Sequence, residues 1–348
     1  MKLKEGLSYQ DVLIVPQFSD IRSRKEVDLR SSLGSTVCSL PIISSPMDTV
    51  TEDRMALAMA KAGGVSVIHR YNSPEQQALI VRRVLESGLD IDATAHTAAA
   101  IGTSSDELAR ARTLVDAGIR ILCVDVAHGH HVLMRNALRN LRKDFGDHIH
   151  IIAGNIATKD GYEALVDWGA NSVRANIGSG SICSTKIQTG HGVPGLQTIF
   201  DCAESSYDAP IIADGGIRNS GDIVKALAAG ANFVMCGSLL SGTDETPGDV
   251  LETSEGKFKA YRGMASKDAQ IAWRGRAASL EGIATRVRLK GSVADVLGDL
   301  ERGIRSGLSY SGARTIHELQ DKAVFMRQTN AGQIESSTHI FNAEGERR

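Results

Sequence analysis

The sequence predicts a single α/β domain built as a (β/α)8 (TIM) barrel. Three observations carry the prediction: short β-branched apolar runs recur, a polar turn follows each, and a helical pattern separates each from the next. Continuous apolar strands alternating with helices indicate a parallel sheet covered by helices. In chain order the runs are Leu40–Ser44, Val65–His69, Ala98–Gly102, Ile121–Val126, Ile149–Ala153, Ser172–Ile177, Pro210–Ala213 and Phe233–Cys236. Eight such units favour a closed barrel over an open doubly wound sheet.

The helices between them carry their own start and stop signals. Ser104, Ser105 and Asp106 precede a helix over Glu107–Ala117, with Gly118 in the C-cap position. Thr158-Lys159-Asp160 opens the helix after the fifth strand, and Ser220-Gly221-Asp222 the helix after the seventh. One domain covers residues 1–348, with an N-terminal extension to about 39, the barrel over about 40–242, and a C-terminal flap and tail over about 243–348. Within that last part, Met264–Ala284 is polar and rich in Gly, Ala and Arg, as expected of a flap. Gln328–Arg348 is polar and reads as a tail or an arm onto a neighbour.

Composition narrows the function classes. Net charge is −2 with both signs dispersed, which argues against nucleic-acid or anionic-membrane partners. No apolar run approaches the roughly 18 residues that span a bilayer, and the N-terminus lacks the apolar stretch of a signal peptide. Cys38, Cys123, Cys183, Cys202 and Cys236 are odd in number and free of CxxC pairs, which suits reduced thiols in the cytoplasm. Cys123 and Cys236 lie in apolar runs and read as core side chains. The histidines His128, His130 and His131 are too close together on one loop to face one metal ion without a carboxylate or thiolate frame.

In such barrels the active site forms at the C-terminal strand ends, with phosphate often bound after strands seven and eight. The unusual loops of this chain fall there: Gly178-Ser179-Gly180-Ser181-Ile182-Cys183-Ser184-Thr185-Lys186, then Asp214-Gly215-Gly216, then Gly237-Ser238. Glycines in these places let backbone N–H groups turn toward an anion. Cys183 stands apart from the other cysteines, in a polar loop beside Ser181, Ser184 and Thr185. A thiolate there can attack an electrophilic carbon.

Further motifs are Ser45-Pro46-Met47-Asp48-Thr49-Val50-Thr51-Glu52, Asp125-Val126-Ala127-His128-Gly129-His130, Ala153-Gly154-Asn155-Ile156-Ala157-Thr158 and Tyr261-Arg262-Gly263-Met264. Together with the three loops, they resemble the IMP dehydrogenase/GMP reductase family over nearly the whole chain. The resemblance implies a purine nucleotide whose 5′-phosphate rests on Ser181, Gly216, Gly237, Ser238 and Tyr261, with Ser45, Met47, Gly215 and Gly263 in the same site. It makes Asp214 a bidentate acceptor for the ribose hydroxyls, and lets Met264, Ala265, Glu281 and Gly282 read the purine edge. It also implies a nicotinamide cofactor against Asp125, Val126 and Ala127, with Ile177, Gly178 and Met264 nearby. A monovalent cation (K+) on the carbonyls of Gly178, Gly180 and Cys183, and a homotetramer, belong to the same resemblance.

Both reactions of the family pass through a covalent Cys–purine adduct. Three features point to GMP reductase with NADPH. About 28 residues separate His69 from Ala98, too few for the regulatory CBS insert usual in IMP dehydrogenases. The flap from Gly263 to Glu281 has no Arg-Tyr pair to activate water, its nearest candidates being Trp273-Arg274 and Arg276. Ser23-Arg24-Lys25-Glu26-Val27-Asp28 resembles a reductase segment that contacts NADPH from a neighbouring subunit, and Arg70, Ser306, Ser309 and Tyr310 resemble reductase cofactor positions. Thr185 and Glu281 match the Thr–Glu dyad that reductases use to protonate the departing ammonia. Three positions depart from the family pattern: Asn176 replaces a usual Gly, Ala265 a Gly or Ser, and Arg174 the Lys more common in reductases. The alternatives are an IMP dehydrogenase without CBS domains, using Arg274 or Arg276, and a non-catalytic guanine-nucleotide sensor.

Overall fold

The computed structural model describes residues 3–104, 106–277 and 281–336. Ser105, residues 278–280 of the expected flap and residues 337–348 of the expected tail lie outside the described residues, as does the side chain of Arg274.

Eight parallel strands close into a barrel. They are β1 (Ile42–Ser44), β2 (Val65–Ile68), β3 (Thr97–Ile101), β4 (Ile121–Asp125), β5 (His150–Ile156), β6 (Ser172–Ala175), β7 (Ile211–Asp214) and β8 (Phe233–Cys236). β6 pairs with β7 and β8 returns to β1, so no edge strand remains. All eight coincide with the apolar runs of the sequence. The pleat sends alternate residues to opposite faces. Ile43, Val65, Val67, Ala98, Ala100, Cys123, Ile152, Ile212, Phe233 and Met235 fill the interior, while Ile42, Ile68, Ala99, Leu122, Val124 and Ile151 pack outward under the helices.

The ring of helices begins with α1 (Asp53–Lys61), α2 (Pro74–Leu85), α3 (Glu107–Asp116), α4 (Val132–Phe145) and α5 (Lys159–Asp167). A short helix, α6 (Thr185–Thr189), follows the cysteine loop and precedes α7 (Gly195–Ala203) and α8 (Ser220–Ala228). Their starts are chemically marked. Ser73 and Gln76 form a capping box on α2, Thr158 accepts from Gly161 N on α5, and Asn219, one residue before the expected start, caps α8 through Asp222 N.

The ring closes beyond residue 242. Residues after β8 first form an antiparallel sheet of Leu251–Thr253, Gly256–Arg262 and Ala284–Arg288, with the flap helix α9 (Lys267–Arg274) between its last two strands. Only then does α10 (Val293–Tyr310) pack between α8 and α1 as the eighth barrel helix. The approach to α8 requires glycine: a Cβ on Gly307 would stand 2.5 Å from Val224 Cγ2. The N-terminal extension also serves the barrel. Its hairpin, Ser31–Leu33 with Thr36–Cys38, plugs the N-terminal end and adds Leu33 and Cys38 to the interior cluster. Val12–Ile14 pairs with Phe325–Arg327, tying the two ends of the described chain together. Among the described residues, no helix is long and apolar enough to cross a membrane.

Candidate active site

The C-terminal strand ends gather the predicted residues around one loop. Cys183 N donates to Gly180 O (3.0 Å), closing a tight turn that lifts the thiol off the end of β6. The returning arm of the flap runs beside this turn: Ser184 N donates to Glu281 O and Ile283 N to Ile182 O, each at 3.0 Å, and Cys183 bridges Gly282. Gly263 N donates to Ile283 O, and Ser266 bridges Gly282 in turn. Gly263, Met264, Ala265, Glu281 and Gly282 are therefore brought to Cys183 by backbone pairing that local sequence patterns do not reveal.

Cys183 Sγ lies 3.0 Å from Thr185 Oγ1, which donates to Glu281 Oε2 at 2.9 Å. A hydroxyl has one proton, so while Thr185 donates to the carboxylate it can only accept from the thiol. The relay runs from S–H through O–H to carboxylate. Cys183 is partly exposed, whereas Cys38, Cys123, Cys202 and Cys236 are buried and pushed up to about 12 by that burial.

The loops after β6, β7 and β8 meet at the expected phosphate end. A Cβ on Gly215, at φ 86°, would lie 3.2 Å from Gly180 N, and one on Gly237 would touch Met47 Sδ, Tyr261 Oη and Ser45 Oγ. Tyr261 is buried with Ser181 and Ser238 close to its hydroxyl, and burial is the leading cause of its raised pKa. A cavity of about 340 Å³ opens there, lined by Ser179, Ser181, Gly216, Ser238, Lys186 and Arg218 among others. Arg218 was not anticipated; its signal is a basic residue two positions beyond a glycine pair that suits an anion.

Asn176 has φ 138°, a backbone region where glycine is at ease, so its departure from the family's usual Gly places a side chain on a strained backbone. The asparagine turns the position to use. Its Nδ2 donates to Gly215 O (3.3 Å) and its Oδ1 accepts from Ser179 Oγ (2.9 Å), stitching the cysteine loop to the Asp214 loop.

Deeper in the mouth, Arg174 is buried between two carboxylates, with Nη1 2.5 Å from Asp125 Oδ1 and Nη2 2.7 Å from Asp214 Oδ2. Burial alone would lower its pKa, but Asp214 and Asp125 outweigh that and hold it well above the ordinary value. Asn155 Nδ2 also donates to Asp214 Oδ2 (2.8 Å). Oδ2 thus takes two donors, and among the described residues Oδ1 takes none. The reach of Arg174 to both carboxylates is invisible in sequence; a charged residue inside an apolar strand is its one local sign.

Arg70 stands where the cofactor was expected, donating to Asp125 O (3.2 Å) and lying 5.7 Å from the rings of Tyr71 and Trp273. Tyr71 donates to Met264 O (2.7 Å) and its ring lies 4.4 Å from that of Trp273, so the flap helix rests on the loop after β2. Arg262 forks onto Asp48 (Nη2 2.5 Å, Nε 3.0 Å from Oδ2), joining two of the quoted motifs. Beside Asp125, Val126 N donates to Gly154 O and Asn155 N to Val126 O, and Ile177 and Gly178 lead from β6 into the cysteine loop.

The other predicted cofactor residues sit elsewhere. Ser23 caps the turn Arg24–Glu26, which packs on α10, the helix that carries Ser306 and Ser309. Since α10 lies beside β8 and β1, this group is across the barrel from Asp125 on β4. Among the described residues, no three His, Cys, Asp or Glu side chains converge as metal ligands. The Gly180 carbonyl of the expected cation site already accepts from Cys183 N.

Comparison with known proteins places this geometry. Residues 6–339 match the model of the IMP dehydrogenase / GMP reductase domain. Inosine-5′-monophosphate dehydrogenase of Nitrosopumilus maritimus is 35% identical, with 97% of this chain and 99% of that one covered. GMP reductase of Leishmania major is 32% identical, with 97% of each covered. A crystal structure of a cysteine-to-alanine variant of GMP reductase from Trypanosoma brucei, in complex with guanosine 5′-monophosphate, superposes with a TM-score of 0.91 at 32% identity, covering 98% of this chain and 99% of that one. Chain length does not separate the two names. The dehydrogenase of Cryptosporidium parvum, 36% identical with 96% of this chain and 95% of its own covered, aligns over 385 positions, whereas the Leishmania major reductase takes 478. The missing insert after the second strand therefore does not favour reductase. With its barrel, its cysteine loop and a family match over 6–339, the chain belongs to the IMP dehydrogenase/GMP reductase family.

Proposed function

We propose that this protein is a GMP reductase, converting GMP to IMP and ammonia with NADPH. The observation that carries the reading is the relay from Cys183 through Thr185 to Glu281, 3.0 and 2.9 Å in its two steps. Cys183 gives its proton to Glu281 through Thr185 and adds through sulfur to C2 of GMP. The same relay, run in reverse, protonates the C2 amine so that ammonia leaves and a thioimidate remains on Cys183. NADPH, when bound, supplies the hydride to C2 that releases IMP and restores the thiolate.

The residues present fit a nicotinamide cofactor. Two buried polar atoms beside Asp125, Asn155 Oδ1 and Arg174 Nε, have no partner among the described residues, as a site awaiting a polar ligand requires. Asp125, Val126, Ala127, Ile177, Gly178, Arg70 and Met264 hold it in this reading. Ser23, Arg24, Ser306 and Ser309, on the far side of the same barrel, serve a neighbouring copy's site in a cytoplasmic homotetramer. A monovalent cation on the carbonyls of Gly178, Gly180 and Cys183 belongs to the proposal, and no step is routed through it.

The second reading is IMP dehydrogenase, favoured by relatives of that name at 35% and 36% identity. It needs a base for water; Arg276 is exposed, and the Arg274 side chain lies outside the described residues. A nucleotide sensor without turnover is the third reading, and an intact relay speaks against it. Purified protein is given GMP with NADPH, and separately IMP with NAD, while nicotinamide absorbance is followed. NADPH loss with equal ammonia release is the expected result; NADH growth from IMP would overturn it, and nucleotide binding without turnover would favour the sensor.

A further inference from the structure

The hydrogen bonds around Arg174 cross four neighbouring strands. Asp125 closes β4, Asn155 lies near the end of β5, Arg174 in β6, and Asp214 closes β7. Arg174 joins the first to the last, with Nη1 on Asp125 Oδ1 and Nη2 on Asp214 Oδ2, and is 5% exposed. Asn155 adds a donor to the same Asp214 oxygen. Each carboxylate thus has one oxygen fixed by the guanidinium.

A guanidinium is planar and rigid, so its two Nη groups keep a set spacing and direction. Turning one carboxylate away costs a charge-assisted bond and also frees the guanidinium to turn from the other. In a site with little water between the groups, screening does not soften that link. In the reading above, Asp214 faces the nucleotide ribose and Asp125 the cofactor.

We propose that Arg174 is a positioning residue that couples the two subsites, so that filling one raises affinity for the other. This inference rests on the proposed purine-nucleotide and nicotinamide sites. Occupancy of Asp214 by a ribose hydroxyl fixes that carboxylate, hence the plane of Arg174, and hence the orientation of Asp125 before the cofactor arrives. The effect is reciprocal by linkage: the factor by which cofactor tightens nucleotide equals the factor by which nucleotide tightens cofactor.

The test uses the full chain in a Cys183→Ala background, which blocks turnover, with GMP and NADP+ as probes. GMP binding is titrated with and without saturating NADP+. With Arg174 present, NADP+ tightens GMP at least about fivefold, the lower end of ordinary coupling. Arg174→Lys keeps the charge but not the fork. Its coupling factor falls below about twofold while its melting midpoint stays near the parent's, a split that a merely structural role would not produce. Arg174→Gln, which can bond one carboxylate but not bridge both, serves the same purpose where the Lys variant fails to fold. Full coupling in either variant, or none in the parent, overturns the proposal. Absence of GMP binding to the parent is a different failure, since it overturns the nucleotide reading underneath and the proposal with it.

Discussion

Thr185 and Glu281 are 96 residues apart in sequence and joined by a 2.9 Å hydrogen bond. The bond matters because it settles which way Thr185 can act toward Cys183. Replacing Thr185 with Val removes the hydroxyl at nearly constant volume and should lower kcat by about 10²–10⁴. Glu281→Gln should fall in the same range. Because the two act as one relay, the double variant should be little worse than either single one. Steady-state kinetics of the three variants checks this; multiplicative losses would show that the groups act separately.

Cys183 should be the one thiol of the five that reacts readily. The other four are buried, with pKa values pushed up to about 12. Brief iodoacetamide treatment at neutral pH, followed by peptide mass mapping, should find the label on Cys183, and GMP should protect it. Equal labelling of Cys202 or Cys236 would contradict the burial described.

Asn176 makes opposite demands on its backbone and side chain. Asn176→Ala keeps the unfavourable φ of 138° and loses both side-chain bonds. It should cost about 1–3 kcal/mol, two bonds at roughly 0.5–1.5 kcal/mol each. Asn176→Gly loses the same bonds but relieves the backbone, so it should be less destabilising than Ala. Urea melts of the two variants decide the order.

His150 lies under the N-terminal plug, 2.8 Å from Ser172 Oγ, and burial followed by Arg142 lowers its pKa to about 4. The unfolded chain takes up this proton near pH 6.5 and the folded chain near 4. Stability from the neutral imidazole is therefore present above 6.5 and lost as pH falls toward 4, up to about 3 kcal/mol. His150→Asn should flatten the melting midpoint across pH 6.5 to 4 relative to the parent. An unchanged slope would reject this assignment.

The parts that were legible in sequence share a physical reason. Strands of a closed parallel barrel are buried on both faces, so the eight appear as short runs rich in apolar residues. Cys183 was legible because it breaks that rule, a cysteine in a polar glycine loop. The last helix of the ring was not, because the flap sheet separates α10 from β8 and hides the final βα unit. Arg174 reaches Asp125 and Asp214 at separations of 49 and 40 residues, and no local spacing reports such a partnership. Chain length is no guide to the reaction, since a dehydrogenase aligns over 385 positions and a reductase over 478.

The most direct test of the central claim is the fate of the hydride. The protein is incubated with GMP and NADPH deuterated at the transferring position of the nicotinamide ring, and the nucleotide product is analysed by mass spectrometry. A Cys183 adduct that ends by accepting hydride yields IMP carrying one deuterium at C2, with ammonia released in equal amount. The opposite chemistry, reduced nicotinamide formed from IMP and oxygen from water found at C2 of the product, would contradict the account.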